Sequence, residues 1–387
     1  MSIEQKIGIL GGGQLGKMLA IEAARWHVHV EALDPTPGAP ASPVVHHMHL
    51  GSFKDYDDVL TFGRKVDVVG IEIEHVNTDA LRQLMLEGKT VIPHPDTLDI
   101  IKDKGKQKLF YRSHDLPTSP FELYESKDAI LEAIRLEALV YPFVQKTRQA
   151  GYDGKGVAVI RNEEDLYKLL DGPSVIENAV DIDKELAIIV ARNGSGEIKT
   201  FPVVEMLFNP EANLVENLIC PADITGAEEA FIEDLAVRVA LAYDIQGLLA
   251  IELFLDTHGE ILINEVAPRP HNSGHHTIEA CITCQYQQQI RALLNLPLGD
   301  TTLIQPAMML NLLGSEGHEG PVYYKGLEDA LHIPGVFVHI YGKTTTKPYR
   351  KMGHITITTK EQSALYSKAE MVRNRLKVIS SQSQSNT

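Results

Sequence analysis

The chain has 387 residues, with 36 Lys and Arg against 52 Asp and Glu and a formal net charge of −16. That length exceeds one ordinary core and implies two or three domains, and that charge argues against a nucleic-acid surface, which needs a basic stripe. Three cysteines, Cys220, Cys281 and Cys284, make no disulfide scaffold. No apolar run reaches the ~20 residues of a membrane span, and the opening residues lack a signal-peptide core, so a cytoplasmic location is expected.

In chain order, a strand at 6–10 runs into Gly11-Gly12-Gly13-Gln14-Leu15-Gly16 and a helix over 17–24. Strands at 28–33 and 66–73 alternate with helices at 55–64 and 77–86, which predicts a doubly wound parallel α/β domain over 1–99. His46-His47-x-His49 sits between them; strand alternation puts His47 and His49 on one face and His46 on the other, with no ligand partner evident. Trp26 is read as a packing residue. A central domain over 100–299 begins with helices at 102–111 and 128–137 and continues through strands at 139–146, 157–160, 174–177, 184–191 and 200–205. Helices at 163–170 and 228–243 follow the same pattern. A hairpin is predicted from 247–255 and 260–266 around Asp256-Thr257-His258-Gly259. A helix over 281–293 would carry the Cys281-x-x-Cys284 pair, read as reduced thiols because no second pair is present. Strands at 307–312, 336–341 and 354–358 predict a small β-rich domain over 300–378, and the polar tail 379–387 is expected to be disordered.

Several constellations carry chemistry. Gly11-x-Gly13-x-x-Gly16 between a strand and a helix suits close approach to a phosphate, and Asp34 closes the next strand as a dinucleotide site would require. Both a phosphate or substrate loop and tight packing stay open. Gly151-Tyr152-Asp153-Gly154-Lys155-Gly156, shortly after Lys146, suits backbone amides folded over a polyphosphate, the alternative being a hairpin turn. Glu252 stands in the apolar run 248–254, where a carboxylate is costly unless paired or metal-bound. Pairing Leu255 with Glu260 sets Glu252 opposite Ile263 and Glu265 one diagonal step along. Two such carboxylates suit Mg²⁺, the alternative being a pair with Arg269. The loop 264–275 gathers Arg269, His271, Asn272, Ser273 and His275, which are recognition groups. Lys343, Arg350 and Lys351 cluster before Gly353-His354 and can hold a phosphate.

Together these motifs resemble the N5-carboxyaminoimidazole ribonucleotide synthetase family, ATP-grasp ligases of purine synthesis, over nearly the whole chain from Ile7 to about Ile357. The resemblance implies an ATP-grasp architecture of three domains and a homodimer. It implies catalysis by Lys146, Tyr152 and Asp153, and ATP held by Lys104, Lys146, Gly151, Tyr152, Asp153, Gly154, Lys155, Gly156, Glu177, Asn178, Ala179, Val180, Glu185, Asn264 and Glu265. It further implies Mg²⁺ on Glu252, Glu265 and Asn264, although regular alternation points Asn264 away from Glu265. The ribonucleotide would meet Gly13, Gln14, Leu15, Glu74, His271, Asn272, Ser273, Lys343, Arg350 and Lys351, with Tyr152 and Asp153. Bicarbonate, 5-aminoimidazole ribonucleotide and ATP are the expected substrates. The chain departs from the family pattern at Val157, at Phe208 and at Glu72-Ile73-Glu74-His75. A formate-using ATP-grasp ligase, a nicotinamide-dependent oxidoreductase on Gly11–Gly16 and a non-catalytic nucleotide binder are the competing readings.

Overall fold

The computed structural model describes residues 4–149, 156–209 and 214–381. Its first part runs β1 (Ile7–Leu10), α1 (Gln14–Ala24), β2 (Val30–Asp34), β3 (His47–Leu50), α2 (Tyr56–Gly63), β4 (Val68–Ile71), α3 (Thr78–Leu86) and β5 (Thr90–Val91). The strands pair in parallel in the order β3-β2-β1-β4-β5, the doubly wound sheet expected. β1, β2 and β4 are buried along their full length, as parallel strands covered on both faces must be. Strand order reverses between β1 and β4, and the carboxyl ends of such a pair open a crevice. Both Gly11–Gly16 and Glu72–Glu74 leave from that point.

After α4 (Pro95–Ile101) and α5 (Lys104–Ser113) come β6 (Phe121–Tyr124), α6 (Lys127–Arg135), β7 (Phe143–Thr147), β8 (Val157–Ile160) and β9 (Ser174–Asn178). These strands form an antiparallel sheet in the order β6-β9-β7-β8. Ile130 of α6 packs on it with Phe143, Ile160 and Ile176. Residues 163–170, expected as a helix, hold only a 3-10 stretch, Glu163–Lys168.

The larger sheet is built from β10 (Ile182–Arg192), β11 (Ile198–Thr200), β12 (Val204–Asn209), β13 (Leu214–Cys220), β14 (Gly247–Asp256), β15 (Ile261–Ala267), β16 (Ala307–Leu313), β18 (Val336–Ile340) and β20 (Lys351–Thr358). Its order is β15-β14-β10-β12-β13-β16-β20-β18, with β11 on β10. α7 (Gly226–Ala242) starts with a capping box between Thr225 and Glu228 and lays Ile232, Leu235 and Val239 on Leu186, Ile188, Leu249 and Ile251. α8 (Thr277–Ala280) and α9 (Gln285–Leu293) follow β15. β17 (Gly320–Lys325), α10 (Leu327–Leu331), β19 (Thr345–Thr346), α11 (Ala364–Arg375) and β21 (Lys377–Ser380) complete the described chain.

Several expectations are corrected. β13 pairs with β16 from Asn217↔Leu310 to Cys220↔Ala307, so the strands of the expected β-rich C-terminal domain are joined to the central sheet by backbone hydrogen bonds, a link not anticipated. The helix α11 was not anticipated; its buried Leu365, Ala369 and Val372 lie on one face, at helical spacing, and cover this end of the sheet. The tail is ordered further than expected, because Ile379 and Ser380 belong to β21 and pair with Tyr323 and Val322 of β17; residues 382–387 lie outside the described residues. The helix expected over 281–293 begins only at Gln285, leaving Cys281 and Cys284 in the connection between α8 and α9 as buried free thiols. Among the described residues no helix is long and apolar enough to cross a membrane.

Candidate active site

The site is organised by one irregularity in the β14–β15 hairpin. Leu255 pairs with Ile261, Phe254 with Leu262 and Leu253 with Ile263; the register then shifts, and Glu252 pairs with Glu265. The expected pairing of Leu255 with Glu260 is therefore off by one residue, and that of Glu252 with Ile263 by two, the register shift adding the second. The turn takes Glu260 as well, whose carbonyl accepts from the Asp256 amide at 2.9 Å. Asn264 is the extra residue of a β-bulge, which puts two residues against one and breaks the alternation of side chains. That answers the objection that Asn264 must point away: its Nδ2 reaches Glu252 Oε2 at 3.5 Å, and its Oδ1 accepts from Lys146 Nζ at 2.7 Å. Arg269, the partner considered for Glu252, instead pairs with Glu74 at 2.8 Å.

Lysines face these carboxylates from two elements. Lys104, the first residue of α5, donates to Glu265. Lys146 on β7 lies 3.0 Å from Glu177. Lys108, one helical turn beyond Lys104 and therefore on the same face, lies 3.1 Å from the same carboxylate. Glu177 is thus the buried counter-ion of two lysines. Expected at the adenine pocket, it commits its side chain to Lys108 and Lys146, while Asn178, Ala179 and Val180 carry the chain onward from β9. Burial works to raise the Glu177 pKa, but the two lysines hold it below the ordinary value. Burial pushes Lys108 down to about 8. Glu185 on β10 stands two residues from Ala187, the cross-strand partner of Glu252, and burial raises its pKa to about 7. Burial, then the facing Glu265 and Glu185, raise the Glu252 pKa. Glu265 goes the other way because Lys104 outweighs its burial. One hairpin thus presents a carboxylate pair of unequal basicity, and Glu265 remains 41 % exposed toward the cleft.

The glycine-rich turn is filled from within. Glu72 accepts from the Gly13 and Gly16 amides, and Asp34 accepts from Gly12 at 2.8 Å and Thr36 at 2.8 Å. The amides that would cradle a dinucleotide phosphate are held by a carboxylate of the chain itself. A Cβ on Gly13 would stand 2.5 Å from Glu72 Oε1, so glycine here serves close approach of Glu72. Burial raises the Glu72 pKa to about 7. Sequence reasoning gave no role to Glu72 or Lys108; the i, i+4 spacing of Lys104 and Lys108 was the available signal for the latter.

The remaining predicted residues gather around the same crevice. His271 Nε2 lies 3.5 Å from Glu252, and its Nδ1 lies 2.9 Å from Ser273 Oγ. Buried Gln285 fixes this loop, accepting from the His271 amide and donating to the His271 carbonyl, each at 2.8 Å. Lys17 of α1 donates to the carbonyl of Ile340 at 2.8 Å, which brings the helix behind Gly13, Gln14 and Leu15 against the turn bearing Lys343. Lys343 donates to the Lys351 carbonyl at 2.7 Å, and Arg350 to the Thr345 carbonyl at 2.8 Å. Gly151, Tyr152, Asp153, Gly154 and Lys155 lie outside the described residues, as does the side chain of Phe208; Gly156 is described, and its carbonyl accepts from Thr147 at 2.9 Å. Val157 pairs with Lys146. His75 lines a cavity of about 440 Å³ with Lys54, Asn77, Lys102 and Lys106.

The histidines at 46–49 join no site. Glu31 takes His29 at 2.9 Å and His49 at 2.7 Å, while His47 packs edge-on against His49 and His46 stacks on His29. Among the described residues no group of three or more His, Cys, Asp or Glu is arranged to hold a metal. Trp26 packs beneath the guanidinium of Arg291.

A doubly wound domain leading into two antiparallel sheets, with Lys146 of one sheet and Lys104 of the helix α5 facing a carboxylate pair of the other, defines an ATP-grasp protein. Family models agree along the chain: the ribonucleotide synthetase preATP-grasp domain matches residues 4–102, the ATP-grasp domain 109–286, and the phosphoribosylaminoimidazole carboxylase C-terminal domain 307–370. The chain is 37 % identical to N5-carboxyaminoimidazole ribonucleotide synthase of Bacillus subtilis, covering 90 % of each. It is also 37 % identical to a chloroplastic phosphoribosylaminoimidazole carboxylase of Vigna aconitifolia, covering 94 % of this chain but 66 % of that longer protein. The crystal structure of N5-carboxyaminoimidazole ribonucleotide synthetase from Thermotoga maritima superposes with a TM-score of 0.89 at 42 % identity, over 97 % of this chain and 99 % of that one. The Aspergillus clavatus synthase, solved with ADP and 5-aminoimidazole ribonucleotide, gives a TM-score of 0.88 at 31 % identity over 97 % and 99 %. The chain belongs to the N5-carboxyaminoimidazole ribonucleotide synthase family.

Proposed function

We infer that the chain is an ATP-dependent ligase that carboxylates 5-aminoimidazole ribonucleotide with bicarbonate, giving N5-carboxyaminoimidazole ribonucleotide, ADP and phosphate in purine synthesis. The observation that carries this reading is the Glu252–Glu265 pair, faced by Lys104 and Lys146 and reached by His271 from the recognition loop. Bicarbonate attacks the γ-phosphorus of ATP, and carboxyphosphate forms as ADP departs. Charge then builds on the transferred oxygens, where Lys104 and Lys146 are placed to meet it. The amine of the ribonucleotide captures the carboxyl carbon and phosphate leaves.

The carboxylate pair fits Mg²⁺. Two partly buried carboxylates oppose each other, burial and the facing Glu265 and Glu185 raise the Glu252 pKa, and the Asn264 side-chain amide lies beside Glu252; Mg²⁺ phosphate sites use one or two carboxylates in this way. Such an ion supplies positive charge to the phosphate oxygens. Its ligands are proposed as Glu252, Glu265 and Asn264. Glu185 is assigned to the ribose of ATP, and Asn178–Val180 to the adenine. Gly13, Gln14, Leu15, Glu74, His271, Asn272, Ser273, Lys343, Arg350 and Lys351 are assigned to the ribonucleotide. The segment 151–156 is proposed, on sequence, to supply amides to the phosphates, with Asp153 accepting the amine proton beside Tyr152. Domain boundaries at 99/100 and 299/300, a homodimer and a cytoplasmic location belong to the same proposal.

The test is phosphate release from Mg-ATP, with and without bicarbonate and 5-aminoimidazole ribonucleotide, with ADP followed in parallel. Release that depends on the ribonucleotide and falls at least about 100-fold in Glu265→Gln supports the ligase. Release only with formate and glycinamide ribonucleotide would replace it by the formate-using reading.

A further inference from the structure

Behind the recognition loop runs a column of three imidazoles that the reaction does not use. His275 stacks on His354 with ring centroids 4.4 Å apart, and His354 stacks on His339 at 4.3 Å. His275 and His354 are completely buried. Each is tied at Nδ1 to a tyrosine hydroxyl, His275 to Tyr286 at 3.0 Å and His354 to Tyr341 at 3.1 Å. Each leaves Nε2 buried with no hydrogen-bond partner among the described residues. Burial drives both pKa values well below the ordinary histidine value. An apolar pair would fill this space without leaving a polar atom unsatisfied. Imidazoles held by hydroxyls define one ring orientation, and a buried polar network of this kind specifies geometry more than it adds stability.

The column joins two loops of the site. His275 ends the segment that begins at His271, and its amide donates to the Asn272 carbonyl at 3.1 Å. His354 lies on β20 three residues beyond Lys351, and its strand partner is His339 on β18. Tyr341 follows β18 directly and precedes Lys343. The stack therefore connects the polar loop at one end of the crevice to the cationic turn at the other, between segments that share no backbone pairing.

We propose that the His275–His354 stack is a positioning element that sets the separation of the two halves of the ribonucleotide site, the loop His271–Ser273 and the turn Lys343–Lys351. The proposal rests on the reading of this crevice as the ribonucleotide site. A ribonucleotide anchored at both ends feels a change in that separation, whereas ATP, held by Lys104, Lys146 and the β14–β15 hairpin, does not.

Steady-state kinetics of His354→Ala, with each substrate varied in turn, tests this. The KM for 5-aminoimidazole ribonucleotide should rise about tenfold or more, while the KM for ATP and kcat stay within about threefold. His354→Phe, which keeps a stacking ring, should recover most of the loss. A ribonucleotide KM unchanged in His354→Ala, or one that rises in step with the ATP KM, overturns the proposal. Should His354→Ala fail to fold, Tyr341→Phe removes only a hydroxyl; a ribonucleotide KM raised about threefold at constant ATP KM supports the proposal, and no change overturns it. Wild-type protein showing no ribonucleotide-dependent release would instead reject the function itself, and the same assay reads this before any variant is compared.

Discussion

Glu252 and Glu265 stand directly opposite each other across the β14–β15 hairpin, and the bulged Asn264 turns its side chain toward Glu252. A strand without the bulge would present only one of two successive residues to Glu252. The irregularity is therefore what lets the sequence Asn264-Glu265 act as two adjacent donors.

The electrostatics of that arrangement make stability depend on pH. Glu72 and Glu185 are raised to about 7 by burial, and Glu252 is raised as well. For an acid raised in the folded state, the native form binds more protons than the unfolded one, so stability falls as pH rises. The window opens near the ordinary glutamate value and extends to about 7 for Glu72 and Glu185. Glu252→Gln should flatten part of this slope and raise the Tm of the ligand-free protein near neutral pH by several degrees. Added Mg²⁺ should stabilise wild type and leave Glu252→Gln largely unchanged. Differential scanning calorimetry between pH 5 and 8, with and without Mg²⁺, measures both; identical slopes in the two proteins would contradict the assignment.

Lys108 and Glu177 are both nearly fully buried, with side chains only 3 % exposed. Removing one partner of such a pair leaves an uncompensated charge, at a cost of roughly 3–5 kcal/mol. Lys146 remains beside Glu177 and limits the loss in Lys108→Met to the lower part of that range. The ATP KM should rise as well, because Lys146 is then drawn more tightly to Glu177. Denaturant unfolding and ATP titration give the two numbers independently.

Asp153→Asn should retain ATP binding and lose carboxylated product, if Asp153 accepts the amine proton. Equilibrium binding of a nucleotide and product assay by chromatography separate the two effects. Normal turnover in this variant would remove Asp153 from the mechanism.

Glu72 occupies the amides of Gly13 and Gly16, and Asp34 is committed to Gly12 and Thr36. Neither is free to serve a dinucleotide, so calorimetric titration with NAD or NADP should show no binding. Binding at micromolar affinity would revive the oxidoreductase reading of the glycine-rich turn.

The parallel sheet was legible because its strands are short, apolar and separated by helices with clear starts, Asn77 and Asp55 being N-caps. The lysine before the glycine-rich segment, the carboxylate in an apolar strand and the dense polar loop were legible because each violates what a core or a surface would choose. The β20 strand was only partly anticipated, and α11 was missed because its exposed residues dominate a short amphipathic pattern.

By itself the sequence determined which elements form and which residue types are available for phosphate, carboxylate and metal chemistry, since periodicity and composition act locally. It also carried the family motifs that name the reaction. Only the tertiary structure decided the pairings: Arg269 with Glu74, Glu177 between Lys108 and Lys146, Glu72 within the Gly13–Gly16 turn, and His275 against His354. These join residues distant in the sequence, Gly13 and Glu72 for example being 59 positions apart. Their partners are selected by strand register and by the one-residue bulge at Asn264, and neither can be read from local propensity.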